Sequence, residues 1–321
     1  RTPKTINKAE FHVRLLLELV GSGTLVTDIN FDAVRSVRDR LNRIPTNMNK
    51  RYKGKGLDEA AELEASGSGR FLAHNTQAAI LRTLNSVVEL AVKKELIANN
   101  PAAGLRPLAK KASAKDARKP FSDNDLKAIF NAPLYRGCEN DQHGFAKPGP
   151  YVIKGTRFWV PLLALWTGMR ANEICQLKVG DVAKRDGHWT IRVSDEGAGQ
   201  TIKNASSRRL FPVHPKLVQM GFVEFREKQA GDLGSQLFAD LTPDGYGYHS
   251  TRLTRWFDDR FLPKYVSERQ GKSFHSFRHN YRDALRSIDA PEPILRSLCG
   301  WAEGNAASAN YGSGYAVHHL M

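Results

Sequence analysis

Only three cysteines occur among the 321 residues, Cys138, Cys175 and Cys299, and no two of them stand in a Cys-x-x-Cys pair. An odd, scattered set gives neither a disulfide framework nor a zinc knuckle, and it fits a reducing compartment. No stretch approaches the roughly 20 consecutive apolar residues that a spanning helix needs. No signal peptide opens the chain either, so a soluble, cytoplasmic protein with no membrane partner is expected. Internal repeats and long low-complexity tracts are also missing. Acidic residues are scarce beside basic ones: 33 Asp and Glu face 48 Lys and Arg, for a formal net charge of +15. Such an excess favours a polyanionic partner, because neutralising phosphates releases counterions and drives association.

The length suits two domains. Amphipathic spacing predicts helices over "KAEFHVRLLLELV" (8–20) and "FDAVRSVRDRLNRI" (31–44). In "NTQAAILRTLNSVVELAVKKELIANNP", Ile80, Leu84, Val87, Val88 and Ala91 mark an apolar face, with Asn75 or Thr76 as cap and Asn99-Asn100-Pro101 as stop. Residues 1–105 read as an all-helical domain. "RPLAKKASAKDARKP" (106–120) lacks apolar periodicity and reads as a basic linker. The remainder, 121–321, reads as a second, mainly helical domain. It has a Ser122-capped helix, a buried helix "FWVPLLALWTG" ending at Gly168, and helical spacing resuming in "ANEICQLKVGDV". "HWTIRV", "QTIK" and "RRLFPV" alternate like strands, with "DEGAG" as a turn. The expected fold is thus mainly α with a small three-stranded antiparallel sheet.

"HSFRHNYRDALR" (275–286) puts two histidines and an arginine within five residues. A helical His-x-x-x-His pair can ligate zinc, but the metalloprotease form needs Glu beside the first His, where Ser276 stands, so no metal is expected. Alone, the stretch reads as a basic helix with satisfied histidines. It has companions, however. "TGMRANEI" places Arg170 at a glycine-punctuated turn between apolar helices, a costly position for a guanidinium unless an anion meets it. "IKNASSRR" places Lys203 at the tip of the expected hairpin, and "LCGWAEGNAASANYGSGY" puts Trp301 ten residues before Tyr311.

Taken in order, Arg170, Lys203, His275-x-x-Arg278, Trp301 and Tyr311 resemble the catalytic set of the tyrosine recombinases, the phage-integrase family. "LCGW" is similar to that family's Leu-Leu-Gly-His element, with Cys299 in a Leu place and Trp301 in the His place. The match covers about 120–312, and the preceding helices resemble the family's core-binding domain. The resemblance implies that Tyr311 attacks a phosphodiester to give a 3′-phosphotyrosyl link and a free 5′-hydroxyl, with no cofactor. Arg170 and Arg278 would clamp the non-bridging oxygens. Trp301 would donate its indole N–H to the phosphate, His275 would accept a proton or bind the phosphate, and Lys203 would protonate the leaving oxygen. Glu173 and His279 are the candidates for orienting these groups.

The implied partner is double-stranded DNA carrying attachment or core sites, bound by a homotetramer on paired sites, with accessory DNA-bending proteins as further partners. The setting is a bacterial cytoplasm, at the nucleoid while on DNA, and the task is integration or excision of a prophage or other mobile element. Family likeness also implies a further segment after the nucleophile, where ten residues follow Tyr311, and in larger integrases an arm-type domain before the position of Arg1. The expected DNA contacts are Arg35, Arg38, Lys50, Arg51, Lys53 and Lys55 in the first domain, with Lys110 and Lys111 in the linker. Charge is uneven: residues 1–119 hold 22 basic and 12 acidic residues, against 26 and 21 in the rest. Three rival classes are a type IB topoisomerase, which needs no paired sites, a catalytically silent DNA-binding protein, and a metal-dependent nuclease, which EDTA would stop.

Overall fold

The computed structural model describes residues 2–110, 118–229 and 231–301. Its chain divides into two compact units, Arg1–Ala114 and Lys115–Met321. Each has its own apolar core.

The first unit is built on helices α1 (Pro3–Val20), α2 (Phe31–Leu41), α3 (Met48–Arg51), α4 (Leu57–Ala65) and α5 (His74–Lys93). Leu15, Leu16 and Leu19 of α1 meet Val34, Val37 and Leu41 of α2 and Ile80, Leu84 and Val88 of α5. Two boundaries differ from the sequence reading. Helix α5 begins at His74, directly after Ala73, which offers no side-chain cap, and ends at Lys93 rather than at Asn99-Asn100-Pro101. Glu95 there adopts a left-handed φ of 57°, which stops the helix before the Asn-Asn-Pro signal is reached. Val87 is not on the buried face; it is 49% exposed, one position off the stripe formed by Leu84, Val88 and Ala91.

The second unit opens with α6 (Asp123–Phe130), whose Ser122 hydroxyl accepts from the Asp125 amide while the Asp125 carboxylate accepts from the Ser122 amide. Short α7 (Pro133–Arg136) leads to α8 (Thr156–Thr167), apolar almost all round and therefore central. Gly168 ends α8 in the left-handed conformation, and a Cβ there would come within 2.4 Å of the Tyr281 ring, so both backbone and packing require glycine. Helix α9 (Ala171–Cys175) follows, then β1 (Val182–Arg185), β2 (His188–Val193) and β3 (Arg209–Pro212). They form one antiparallel sheet in the order β1, β2, β3, with Val182 opposite Ile191 and Ile191 opposite Phe211.

The sheet corrects one expectation. "QTIK" is not a strand; "VAKR" of β1 is. Two inward-turned amides explain this. The Gln176 side chain donates to the Thr201 carbonyl at 2.8 Å and accepts from the Thr201 amide at 3.1 Å. Gln200 donates to Asp181 at 2.7 Å and to the Gln176 carbonyl at 3.1 Å. Backbone groups that a ladder would have satisfied are thus satisfied by side chains. The remaining elements are α10 (Pro215–Gln219), α11 (Phe222–Lys228), α12 (Thr251–Trp256), α13 (Leu262–Tyr265), α14 (Ser276–Ser287) and α15 (Glu292–Cys299). The Phe277 ring of α14 packs among Phe121, Phe257 and Phe274, which fixes the helix that carries the histidines. The architecture is mainly helical with one small three-stranded antiparallel sheet.

Candidate active site

Four elements of the second unit converge: the turn from α8 into α9, the start of β3, the first turns of α14 and the end of α15. Arg170 is the residue just before α9. Its amide donates to Glu173 Oε2 at 2.9 Å and its Nη1 to Glu173 Oε1 at 2.5 Å, so the arginine is aimed by the carboxylate one turn further on. The same Nη1 donates to the Ser207 hydroxyl at 3.0 Å, and that hydroxyl donates to Asn204 Oδ1 at 2.6 Å. Lys203, next in the chain to Asn204, is exposed in the loop between β2 and β3 and has no side-chain partner among the described residues.

Glu173 is 4% exposed and serves a second arginine: Arg209 Nη2 donates to its Oε2 at 2.7 Å. Burial alone would raise the Glu173 pKa, but Arg209 first, and then Arg170, hold it below the usual carboxylate range. Removing either charge from such a buried pair typically costs about 3–5 kcal/mol, since the other is left uncompensated.

Arg278, on the first turn of α14 and 7% exposed, donates to the Gly168 carbonyl at 2.6 Å and to the Cys299 carbonyl. Both acceptors close helices, α8 and α15, so the guanidinium meets the negative ends of two helix dipoles. Burial, with Arg170 and Arg209 nearby, lowers its pKa to about 10, and Glu173 is the one carboxylate among the groups acting on it. Among the described residues, two guanidiniums thus bind a single carboxylate and a third stands near it. Two positive charges are left over, and the exposed remainder of Arg170, 24% of its side chain, is where an anion can reach them.

His275 stands immediately before α14, with its ring 5.4 Å from that of His279. Burial, then Arg118, His279, Arg278 and Arg170, depress its pKa to about 4, so the ring is neutral at physiological pH and able to accept a proton. Burial also lowers the His279 pKa, and its Nε2 is buried with no hydrogen-bond partner among the described residues. Trp301 is half-buried just past Gly300, the left-handed residue that ends α15. Among the described residues no group of three or more His, Cys, Asp or Glu is placed to hold a metal ion.

The structure therefore brings together Arg170, Glu173, His275, Arg278 and His279 in one cluster, with Lys203 on the adjoining loop. Tyr311 and Lys111 lie outside the described residues. Arg209 was missed. Its signal was present in "SSRRLFPV": strand alternation gives Arg209 the inward parity of Phe211, and an arginine facing inward needs a buried anion.

The expected DNA contacts of the first unit separate into two groups. Arg35, Lys50 and Lys53 are exposed and make no ion pair among the described residues, and Lys110 is likewise exposed. Three others are engaged within the chain. Arg38 pairs with Asp39 at 2.7 Å, Lys55 pairs with Glu59, and Arg51 Nη1 pairs with the fully buried Glu64 at 2.6 Å. Residue type marked these positions as basic, but not which of them the fold had already neutralised.

Among known proteins, the model of the phage integrase family matches residues 156–315, the segment that contains every one of the catalytic candidates. The fold is similar to that of the Tn1549 transposon integrase in complex with a circular intermediate DNA, with a TM-score of 0.61 and 14% identity over 94% of this chain and 87% of that one. It is also similar to lambda integrase in a tetramer bound to a Holliday junction, with a TM-score of 0.58 and 14% identity over 95% of this chain and 73% of that one. A lambda integrase dimer bound to a core site gives 0.56 and 14% over 95% and 90%. No curated protein matches in sequence. No helix among the described residues is long and apolar enough to cross a membrane. Since the family pattern runs through the turn of Arg170, the β2–β3 loop and the first turns of α14, the chain belongs to the phage integrase family.

Proposed function

We propose that this protein is a site-specific DNA recombinase that cleaves and rejoins duplex DNA through Tyr311, for integration or excision of a prophage or other mobile element. The observation that carries the reading is the charge imbalance at Glu173: among the described residues two arginines bind this one carboxylate and Arg278 stands near, which leaves a site complementary to a phosphodiester. In the proposed step the Tyr311 oxygen bonds to phosphorus as the bond from phosphorus to the 5′-oxygen breaks. The phenol proton passes to neutral His275, and Lys203 supplies the proton that the 5′-oxygen takes up. Arg170 and Arg278 bind the non-bridging oxygens, and Trp301 donates through its indole N–H. Tyrosine normally ionises near pH 10, so these positive charges also favour the phenolate as it forms. The bond energy is retained in the phosphotyrosyl link, and rejoining needs no cofactor.

Duplex DNA is the substrate. The active assembly we infer is a homotetramer on two DNA sites, assisted by DNA-bending proteins, in the cytoplasm and at the nucleoid. The silent DNA-binding reading leaves the arginine excess without a use. The experiment is incubation with nicked duplexes from a pool of attachment-site sequences, in EDTA, followed by denaturing electrophoresis and mapping of the modified residue. An SDS-resistant adduct at Tyr311 is expected, with Tyr311→Phe binding DNA as before and forming none. An adduct that survives Tyr311→Phe would hand the role to another nucleophile such as Tyr315. Cleavage that requires a divalent metal would replace the reading with a nuclease.

A further inference from the structure

Arg209 is buried, with 3% of its side chain exposed, and it bonds to three separate segments that frame the site. Its Nη2 donates to Glu173 Oε2 at 2.7 Å, its Nη1 to the Ser207 carbonyl at 2.7 Å and its Nε to the Leu298 carbonyl at 3.0 Å. Those acceptors lie on the Arg170 turn, on the loop that bears Lys203, and on the end of α15 three residues before Trp301. We propose that Arg209 is a positioning residue for strand cleavage, locking these three segments into a single arrangement around the phosphate. The inference rests on the recombinase reading and extends it to a residue outside the catalytic set.

Four features support it. A guanidinium is planar, so donors on Nε, Nη1 and Nη2 fix the relative placement of three acceptors, which the point charge of a lysine cannot do. Leu298 and Cys299 offer consecutive carbonyls, one to Arg209 and the next to Arg278, so the two arginines grip the same helix end. The close fit is built in: a Cβ on Gly300 would stand 2.8 Å from Arg209 Nη1, and the guanidinium carbon lies 4.8 Å from the Phe211 ring centroid. Glu173 in turn gives one oxygen to Arg170 and the other to Arg209 and the Arg170 amide, so a shift of Arg209 frees the carboxylate that aims Arg170.

The test compares the wild-type chain with Arg209→Lys and Arg209→Gln in single-turnover adduct formation on a nicked site at saturating DNA, alongside DNA affinity and urea unfolding. For Arg209→Lys the expected result is unchanged DNA affinity and a saturating cleavage rate about 100-fold lower, the usual penalty for ångström-scale misplacement. For Arg209→Gln the rate falls further, and the acid limb of its pH profile moves toward neutral. Glu173 then keeps only Arg170 beside it, with Arg278 beyond, and takes up a proton more readily. If the Gln variant does not fold, the Lys variant decides. A wild-type saturating rate in Arg209→Lys, or a loss that vanishes once the folded fraction is counted, overturns the inference. Wild-type protein that forms no adduct overturns the recombinase reading itself, so the two failures are separate observations.

Discussion

Two buried carboxylates, one in each unit, carry opposite lessons. Glu64 of the first unit is fully buried and completely served: it accepts from the Tyr52 hydroxyl at 2.6 Å, the Ser68 hydroxyl at 2.5 Å, the Arg70 amide at 2.6 Å and Arg51 at 2.6 Å. One arginine answers one carboxylate, and the account closes. Glu173 of the second unit is almost as buried, but two arginines bind it and a third stands near, so positive charge is left over. A balanced buried pair holds a fold together. An unbalanced one is costly in the free protein and becomes favourable only when an anion arrives. Excess charge, rather than burial or a shifted pKa, is what separates the site from the scaffold.

The strongest way to break this contrast is at Arg278. Arg278→Lys retains the charge but cannot hold the Gly168 and Cys299 carbonyls and a phosphate oxygen together. Adduct formation is expected to fall by about 10² to 10³-fold, the range for losing one donor to a developing oxyanion. Single-turnover kinetics on the nicked site would measure it. A variant within a few-fold of wild type would mean that the surplus charge alone, without directed donors, suffices.

Glu64→Gln sharpens the contrast from the other side. All five tryptophans lie beyond residue 158, so tryptophan fluorescence reports the second unit alone, while far-ultraviolet circular dichroism follows the helices of both. The substitution should lower the urea midpoint of the tryptophan-silent transition and leave the fluorescence transition and the adduct rate where they were. The pH dependence has a definite sign. Burial would raise the Glu64 pKa, but hydrogen bonds from Ser68, Tyr52, the Arg70 amide and Arg51 bring it down from 4.5 to about 2. A folded-state pKa below the unfolded one gives stability that is present above pH 4.5 and lost as pH falls toward 2. Wild-type protein should show that loss in the silent transition, and Glu64→Gln should not.

The same distinction explains what the sequence alone could and could not reveal. Ser122 as a cap, the apolar helix ending at Gly168 and the strand "HWTIRV" were legible because local patterning decides them. "QTIK" was misread because the Thr201 amide and carbonyl pair with the Gln176 side chain and with no strand, a tertiary choice invisible to alternation. The end of α5 was misplaced because Glu95 turns left-handed without a glycine to announce it. In the site, Arg170, His275 and Arg278 could be picked out by residue type and order. Arg209 could not be found that way, since a second arginine in "SSRR" looks like surface charge unless the strand alternation that pairs it with Phe211 is followed.

The smallest expected effect tests the same idea on the DNA-binding side, where Arg51 and Lys53 are close neighbours with different histories. Arg51 is committed to Glu64 and Ser68 and stacks near the Tyr52 ring, while Lys53 is exposed with no ion pair among the described residues. If about eight phosphates are neutralised in the complex, log K should fall against log salt with a slope near −7. Lys53→Gln should make that slope shallower by about 1, the signature of one lost phosphate contact, with no change in unfolding. Arg51→Gln should do the reverse, destabilising the tryptophan-silent unit and leaving the slope alone, because its charge is already spent inside the fold. Fluorescence anisotropy on a labelled core-site duplex, titrated at several salt concentrations, would read both. A slope that drops equally in the two variants would show that the Glu64 pair opens to release Arg51 onto DNA, and balance in the free protein would then cease to mark a residue as structural.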